Sequence, residues 1–289
     1  MDVGIGLPNA VPDTDGSVLA DWAQRAEEGG FSTLGTIGRL AFPSYDDLIA
    51  LAAAAAVTER IRLTTSVLLG PLYTNVVLLA KQTASLDRLS HGRFVLGVGL
   101  GSREDDYTTS GVPMAGRGRR LEAQLQEIKA IWARASRGEP GAIGPPPVRE
   151  GGPEVIVGGN GELTFRRVAR FGDGWIMGGG SPEMFGGAAA GVDRAWKEAA
   201  RSGRPRKLSL AYFALGAQAR EAADTYLKRY YGWLGEETAG QIAASAAVSQ
   251  DMVRTYRDAF EQNGCDELIF IPCSHDPGQV GLLAEAVRG

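Results

Sequence analysis

The sequence predicts an α/β barrel of eight parallel strands, a (β/α)8 or TIM barrel, formed by residues 1–289 as one domain. Three observations predict it. Short runs rich in β-branched residues alternate in step with longer segments of helical periodicity. The run Arg93–Gly97 is nearly all apolar, as a strand covered on both faces must be. A chain of 289 residues is long enough for one such barrel. An open doubly wound sheet is the other arrangement that the same alternation allows.

The elements follow in order. Val3–Leu7 is a first strand, and a helix from Val18 to Gly29 carries Leu19, Trp22, Ala23 and Ala26 on one face. Gly29-Gly30 stops it. Thr33–Ile37 is strand two and Tyr45–Thr58 a helix. Ile61–Leu69 is strand three, Asn75–Leu89 a helix, and Arg93–Gly97 strand four. A polar loop, Gly99–Gly116, precedes a strong helix over Gly118–Ala135, with Leu121, Leu125, Ile128 and Trp132 at helical spacing. A Pro/Gly-rich loop, Gly138–Pro153, leads to strand five at Val155–Val157. The loop is no domain linker, because the alternation resumes in step after it. Glu162–Phe171 is a helix, Gly174–Met177 strand six, Pro182–Arg201 a helix and Leu208–Leu215 strand seven. Arg220–Asn263 holds two or three helices. Glu267–Ile271 is strand eight, and Gln279–Val287 the closing helix.

Composition narrows the function. The net charge is −4, so no basic excess points to nucleic acid and no basic arm to a membrane surface. The two cysteines, Cys265 and Cys273, build no disulfide framework. Two histidines nearly exclude a multi-histidine metal site. The N-terminus lacks the pattern of a secretory signal, and the longest apolar run, Leu48–Val57, is far too short for a membrane span. A cytoplasmic protein is expected. Glycine is the outlier: 40 residues, about twice average usage. It reads as tight turns and close approaches of backbone.

In a barrel the active site lies at the C-terminal ends of the strands. Gly158-Gly159-Asn160-Gly161 follows strand five, and Gly178-Gly179-Gly180-Ser181 follows strand six. Ser181 is placed as a helix N-cap with Pro182 at the first helical position. Backbone N–H groups of such turns, with the positive end of a helix, make an anion site. Either loop alone is equally a turn without a ligand; the pair on neighbouring strands favours a phosphate. The strand ends offer no Schiff-base lysine, no metal cluster and no opposed carboxylate pair. Phosphate loops with few catalytic side chains suit a phosphorylated cofactor that carries the chemistry itself.

Arg39, after strand two, is a candidate to hold an anionic substrate or a ring carbonyl, and equally a surface arginine. His275, after strand eight, is a candidate acid or base, though its place beside the Ser/Asp cap of the last helix favours a plain loop histidine. Cys265, Cys273 and the aromatics Tyr230, Tyr231 and Trp233 read as structural.

Several of these segments resemble one family. They are Ile61-Arg62-Leu63-Thr64-Thr65-Ser66-Val67-Leu68-Leu69, then Leu78-Leu79-Ala80-Lys81-Gln82-Thr83-Ala84-Ser85-Leu86-Asp87-Arg88-Leu89-Ser90, then Gly92-Arg93-Phe94-Val95-Leu96-Gly97-Val98-Gly99. Gly158-Gly159-Asn160 and Ala169-Arg170-Phe171-Gly172-Asp173-Gly174-Trp175 follow. The series resembles the bacterial luciferase-like monooxygenase superfamily of flavin- and coenzyme F420-dependent oxidoreductases, from Val3 to about Val287. The resemblance implies a barrel that binds FMN or F420 at its mouth, with Gly158, Gly159, Asn160, Gly161 and Gly178, Gly179, Gly180, Ser181 on the phosphate. It implies a bulge behind the ring with a non-prolyl cis peptide at Ser66–Val67. It implies that Ser102–Pro113 and Gly138–Pro153 border a pocket for a small-molecule substrate. A homodimer, through the second and third helices, and a separate flavin or F420 reductase are further implications. One departure stands out. Many relatives carry an acidic residue and a histidine after strand two, where this chain has Ile37-Gly38-Arg39-Leu40. Arg39 therefore becomes the local candidate.

Three functions compete. One is a redox enzyme in which reduced FMN activates oxygen or F420 exchanges hydride, and FMN is favoured because no basic cluster for an acidic cofactor tail is evident. Another is a cofactor-free barrel acting on a phosphorylated substrate. The third is a flavin-binding barrel without catalysis.

Overall fold

The computed structural model describes residues 1–289. The strands are β1 (Asp2–Gly6), β2 (Thr33–Thr36), β3 (Arg62–Thr65), β4 (Leu68–Leu69), β5 (Phe94–Gly99), β6 (Glu154–Gly158), β7 (Gly174–Met177), β8 (Arg206–Phe213) and β9 (Glu267–Pro272). β3 and β4 are two parts of the expected third strand, so nine labels describe eight staves. Every pairing is parallel, β1 lies between β2 and β9, and β5 pairs with both β3 and β4. That pairing closes the ring, and the open doubly wound sheet is thereby excluded.

The helices around it are α1 (Gly16–Glu28), α2 (Asp47–Ala55), α3 (Val76–Leu89), α4 (Glu104–Ser110), α5 (Arg117–Ser136), α6 (Glu162–Phe171), α7 (Pro182–Glu198), α8 (Ala219–Tyr231), α9 (Glu236–Ala244), α10 (Gln250–Gln262) and α11 (Gly278–Arg288). Side chains of Asp15, Asp46, Asn75, Ser181 and Ser249 accept first-turn N–H groups at five helix starts, which satisfies donors a helix end leaves unpaired. The polar loop Gly99–Gly116 contains α4. Its first turn holds Glu104, Asp105 and Asp106, acids that suit the positive end of a helix. No helix is long and apolar enough to cross a membrane.

The Pro-rich loop Gly138–Pro153 corrects an expectation. It joins the end of α5 to the start of β6, at the face opposite the mouth. There the Val148 N–H donates to Asp87 Oδ2 at 2.7 Å, and Lys81 Nζ donates to the Gly144 carbonyl at 3.0 Å. It follows a helix and precedes a strand, so barrel topology alone keeps it from bordering the substrate pocket.

The strands alternate strictly. Leu96, Val155, Val157, Trp175, Leu268 and Phe270 pack outward into the core beneath the helices. Val95, Ile156, Ile176, Leu208, Leu210, Ile269 and Ile271 fill the barrel interior. Gly4 and Gly6 on β1 and Gly35 on β2 hold inward positions, beside the small Thr33. A Cβ at Gly6 would stand 2.8 Å from Ile271 Cδ1, and one at Gly35 would stand 3.0 Å from Ile269 Cγ2. Large residues on β9 thus face none on β1 and β2, and the interior fills without strain.

The third stave breaks at Ser66–Val67, whose peptide bond is cis. Thr64 pairs with Val95 and Leu68 with Val98, so four residue steps on this stave run beside three on β5. The extra residue is a β-bulge. It fits only because β5 and β6 bear glycines there. A Cβ at Gly97 would stand 1.8 Å from the Thr65 carbonyl oxygen, one at Gly99 2.6 Å from Val67 Cγ2, and one at Gly158 2.7 Å from Val67 Cγ1.

Gly97→Ala is expected to lower stability by about 2–3 kcal/mol, the cost of forcing a methyl into packed backbone. Gly178→Ala, with nothing within 4 Å of its Cβ site, is expected to stay within about 0.5 kcal/mol of the parent. Urea unfolding midpoints measured on both variants check the contrast.

Candidate active site

Two adjoining cavities open at the C-terminal ends of the staves. The larger, about 470 Å³, lies over β5, β6 and β7 and is lined by Gly158, Gly159, Asn160, Gly178 and Gly179, with Ser102, Thr164 and Arg117. The smaller, about 210 Å³, lies toward β2 and β8 and is lined by Arg39, Arg103, Asp106, Tyr212, Tyr230, Tyr231 and Trp233 among others. Ser66, Val67, Gly101, Ser102 and Gly178 line both. The bulge is therefore the wall where the two spaces meet.

The structure brings both glycine loops to the larger cavity. Gly159 and Gly161 have φ of 125° and 89°, a region that L side chains rarely adopt. The Trp175 indole N–H donates to the Gly159 carbonyl at 2.7 Å and pins the first loop. In the second loop Ser181 Oγ accepts the Met184 N–H at 3.3 Å, and Pro182 opens α7. Gly161, Gly180 and Ser181 do not line the cavity; they shape the loops that do. Arg117 opens α5, and its Nε is buried without a hydrogen-bond partner. The Gly159 N–H is engaged by the Ile176 carbonyl at 3.2 Å and the Gly161 N–H by Asn160 Oδ1 at 2.8 Å, so the donors that suit a phosphate are the helix starts, the second glycine loop and the unsatisfied guanidinium N–H.

Arg39 reaches the mouth but is already engaged. Its guanidinium pairs with Asp105 and, at 3.5 Å, with Asp106. Asp106 also accepts the N–H groups of Leu40 at 2.9 Å and Ala41 at 2.7 Å. The α4 carboxylates thus fasten the loop after β2. Arg103 has no such partner. It lies over the rings of Tyr230, Tyr231 and Trp233, with 4.2 Å to the nearest ring centre.

The aromatics read as structural in the sequence line the smaller cavity. Tyr212 and Tyr231 hydroxyls lie 2.7 Å apart. One donates to the other, so the pair always keeps one phenolic proton free for a third group. Burial raises the pKa of both phenols, which keeps that proton in place at neutral pH. Sequence gave no sign of this pair, because Tyr212 is on β8 and Tyr231 at the end of α8.

His275 is placed elsewhere. It is exposed and lines a separate depression with Asp13, Glu221 and Arg229. Its neighbours serve the start of α11: Asp276 Oδ1 accepts the Gly278 N–H at 2.9 Å. Cys265 and Cys273 are both buried, and burial pushes the Cys265 thiol up to about 12.

Asp47 was not singled out by sequence. It opens α2, is 5% exposed, and lines a neighbouring cavity of about 200 Å³ that shares Arg39 and Leu69 with the mouth. Its Oδ1 accepts from Asn9 Nδ2 at 3.4 Å. Gly38 leaves it room, since a Cβ there would stand 2.0 Å from Asp47 Oδ2. Burial pushes its carboxyl up to about 7.

Comparison with known proteins places this architecture. The family profile described as luciferase-like monooxygenase matches residues 1–268. An uncharacterized protein of Mycobacterium tuberculosis is 38% identical over 141 residues, 46% of this chain and 50% of that protein. The chain thus spans about half the length of that relative. The FMNH2-dependent dimethylsulfone monooxygenase of Pseudomonas putida is 27% identical over 273 residues, 83% of this chain and 74% of that one. The solved structure of an F420-dependent secondary alcohol dehydrogenase in complex with an F420-acetone adduct superimposes with a TM-score of 0.83. It covers 100% of this chain and 99% of that one at 15% identity, a likeness of fold.

Between the unfolded carboxyl value and about 7 the native protein binds more protons through Asp47 than the unfolded chain does. Stability therefore falls as pH rises through that window. Asp47→Asn keeps the oxygen that faces Asn9 and removes the titration. The variant is expected to gain on the parent, by on the order of 3 kcal/mol, between pH 5 and pH 8. Parallel pH profiles of the two proteins in urea unfolding would refute this.

Proposed function

From the chain's membership of the luciferase-like monooxygenase family, we propose that it is an oxidoreductase that binds a phosphorylated flavin-type cofactor at the barrel mouth and acts on a small organic molecule. The observation that carries the reading is the cavity itself. Both glycine loops, Arg117 and the Ser66–Val67 bulge line one space of about 470 Å³ that opens directly onto the aromatic cavity.

The fit is chemical as well as spatial. Gly158, Gly159, Asn160, Gly178 and Gly179, with the Arg117 guanidinium, would hold the phosphate. Gly178 has nothing within 4 Å of its Cβ site, so the loop offers backbone at close approach. Ser66 and Val67 would back the ring, and Val67 is itself held by Gly97, Gly99 and Gly158. When bound, the cofactor supplies the redox step: oxygen activation for reduced FMN, hydride exchange for F420. The chain's own residues orient the partners and shed water from the smaller cavity. The free phenolic proton of the Tyr212–Tyr231 pair polarises an oxygen of the substrate. Arg39, held by Asp105 and Asp106, stiffens the rim rather than meeting substrate directly.

FMN is supported by the Pseudomonas putida relative, which matches over 83% of the chain. F420 is the second reading, supported by Arg117, which lines the glycine-loop cavity and keeps its buried Nε without a hydrogen-bond partner. In either case a separate reductase would return the cofactor to its reduced form. A homodimer through α2 and α3 fits the exposed Ile49, Val77 and Leu78 on those helices.

Titration of the purified protein with FMN, reduced FMN, F420 and reduced F420, followed by fluorescence and calorimetry, tests the reading. Low-micromolar binding of one of them is expected, and binding of none would overturn it. Arg117→Ala should weaken the FMN or F420 that binds by about 10- to 100-fold, the loss of a charge-assisted contact. It should leave the affinity for the analogue lacking the phosphate unchanged.

A further inference from the structure

The smaller cavity contains a charge with no counter-charge. Arg103 is 7% exposed, and its Nη1 is buried without a hydrogen-bond partner. A buried cation is costly unless it is paired. Elsewhere at the mouth the chain meets that requirement, since Arg39 is neutralised by Asp105 and Asp106. Asp106 lines the same cavity but is spent on Arg39 and on two backbone N–H groups. Arg103 instead lies over Tyr230, Tyr231 and Trp233, with ring centres at 4.2, 5.4 and 5.4 Å. Those ring faces fix the guanidinium plane and partly offset its charge. They accept none of its in-plane hydrogen bonds.

The side chain is therefore oriented, desolvated and unsatisfied. It lines the cavity that meets the cofactor space at Ser66, Val67, Ser102 and Gly178. It does not line the cavity of the glycine loops. We propose that Arg103 is the anchor of an anion subsite and that the substrate carries a carboxylate, which the guanidinium grips while its reacting carbon faces the cofactor space. The proposal rests on the functional reading above for its redox step, but not for the binding itself. A planar carboxylate matches the fork of an arginine in two parallel hydrogen bonds. The Tyr212–Tyr231 hydroxyls, in the same cavity, add one more donor. A neutral molecule of the same size would leave the guanidinium unpaired and is discriminated against for that reason.

An acidic cofactor tail offers the same chemistry from another source, and the experiment separates the two. Benzoate and benzamide serve as probes of equal shape and different charge. Each is titrated into the protein with and without its cofactor, and the fluorescence of Trp233, which lies over Arg103, reports occupancy. Benzoate is expected to bind about 10- to 100-fold more tightly than benzamide, and Arg103→Met should abolish that preference. Arg103→Lys should restore part of it, because it keeps the charge without the fork. Thermal melts show that each variant is folded.

Equal affinity for the two probes would overturn the proposal, as would a preference that survives in folded Arg103→Met. So would a variant that binds benzoate normally and loses affinity only for F420 that carries its glutamyl tail; the cation would then serve the cofactor. Arg103-dependent binding of benzoate by protein that takes up none of the four cofactors would support the subsite and defeat the redox reading separately.

Discussion

The site depends on one packing arrangement: Val67 seated against the glycines of β5 and β6. The third stave carries one residue more than its neighbour can match, and the surplus must go somewhere. Gly97 accepts the Thr65 carbonyl, and Gly99 and Gly158 accept the Val67 methyls. Thr65 Oγ1 donates to the Gly97 carbonyl at 2.7 Å and ties the two staves below the break. β5 can then pair with β3 on one side of the bulge and β4 on the other. Barrel closure and the shape of the mouth follow from the same contacts. Side chains at these glycines would both open the ring and fill the space behind Ser66 and Val67. This is why the glycine surplus falls on strands as well as in turns.

Charge is handled differently at the two ends of the barrel. At the N-terminal end the fully buried Glu267 is met by Arg206 and by the Ser32 hydroxyl. Arg206 is shared in turn with Glu154 at 3.1 Å. Each group there has its partner, as a structural network requires. At the mouth Arg39 obeys the same rule, and Arg103 and Arg117 do not. Within one fold, paired buried charge marks the end that holds the staves together. At the mouth, Arg103 and Arg117 each keep a buried N–H without a hydrogen-bond partner and without a carboxylate beside it.

Most of the frame was legible in the sequence because it rests on local signals. Alternation, apolar strands and capping residues are written within a few residues of where they act. The eight staves, Ser181 as N-cap and the paired glycine loops came through for that reason. The bulge was legible only through the family resemblance, since nothing local to Ser66 and Val67 reveals glycines thirty residues further on. What stayed hidden was formed by distant segments. Asp47 looks like an ordinary helix-start acid until Asn9 and Gly38 are seen around it. Tyr212 and Tyr231 meet across a strand and a helix. Arg103 sits in what read as a polar loop, and α4 and α8 together make it a buried cation. The expectation for Gly138–Pro153 fails for the opposite reason: the family resemblance implies a place at the mouth that the order of helix and strand in this chain denies it.

The cations and the phenol pair of the two cavities offer donors. The glycine backbone, Arg103, Arg117 and one phenolic proton can all give hydrogen bonds. The carboxylate of Asp106 is saturated, and the Asp47 carboxyl lies in the adjoining space behind Arg39 and Leu69. His275 is on another part of the surface. Oxidising an alcohol within this mouth would require a base to take the hydroxyl proton, and no side chain is poised to take it. Polarising an acceptor oxygen requires only donors held in place before the substrate arrives. In the proposed reading, the chain's contribution is therefore electrostatic and positional. Substrates rich in acceptor oxygens suit it.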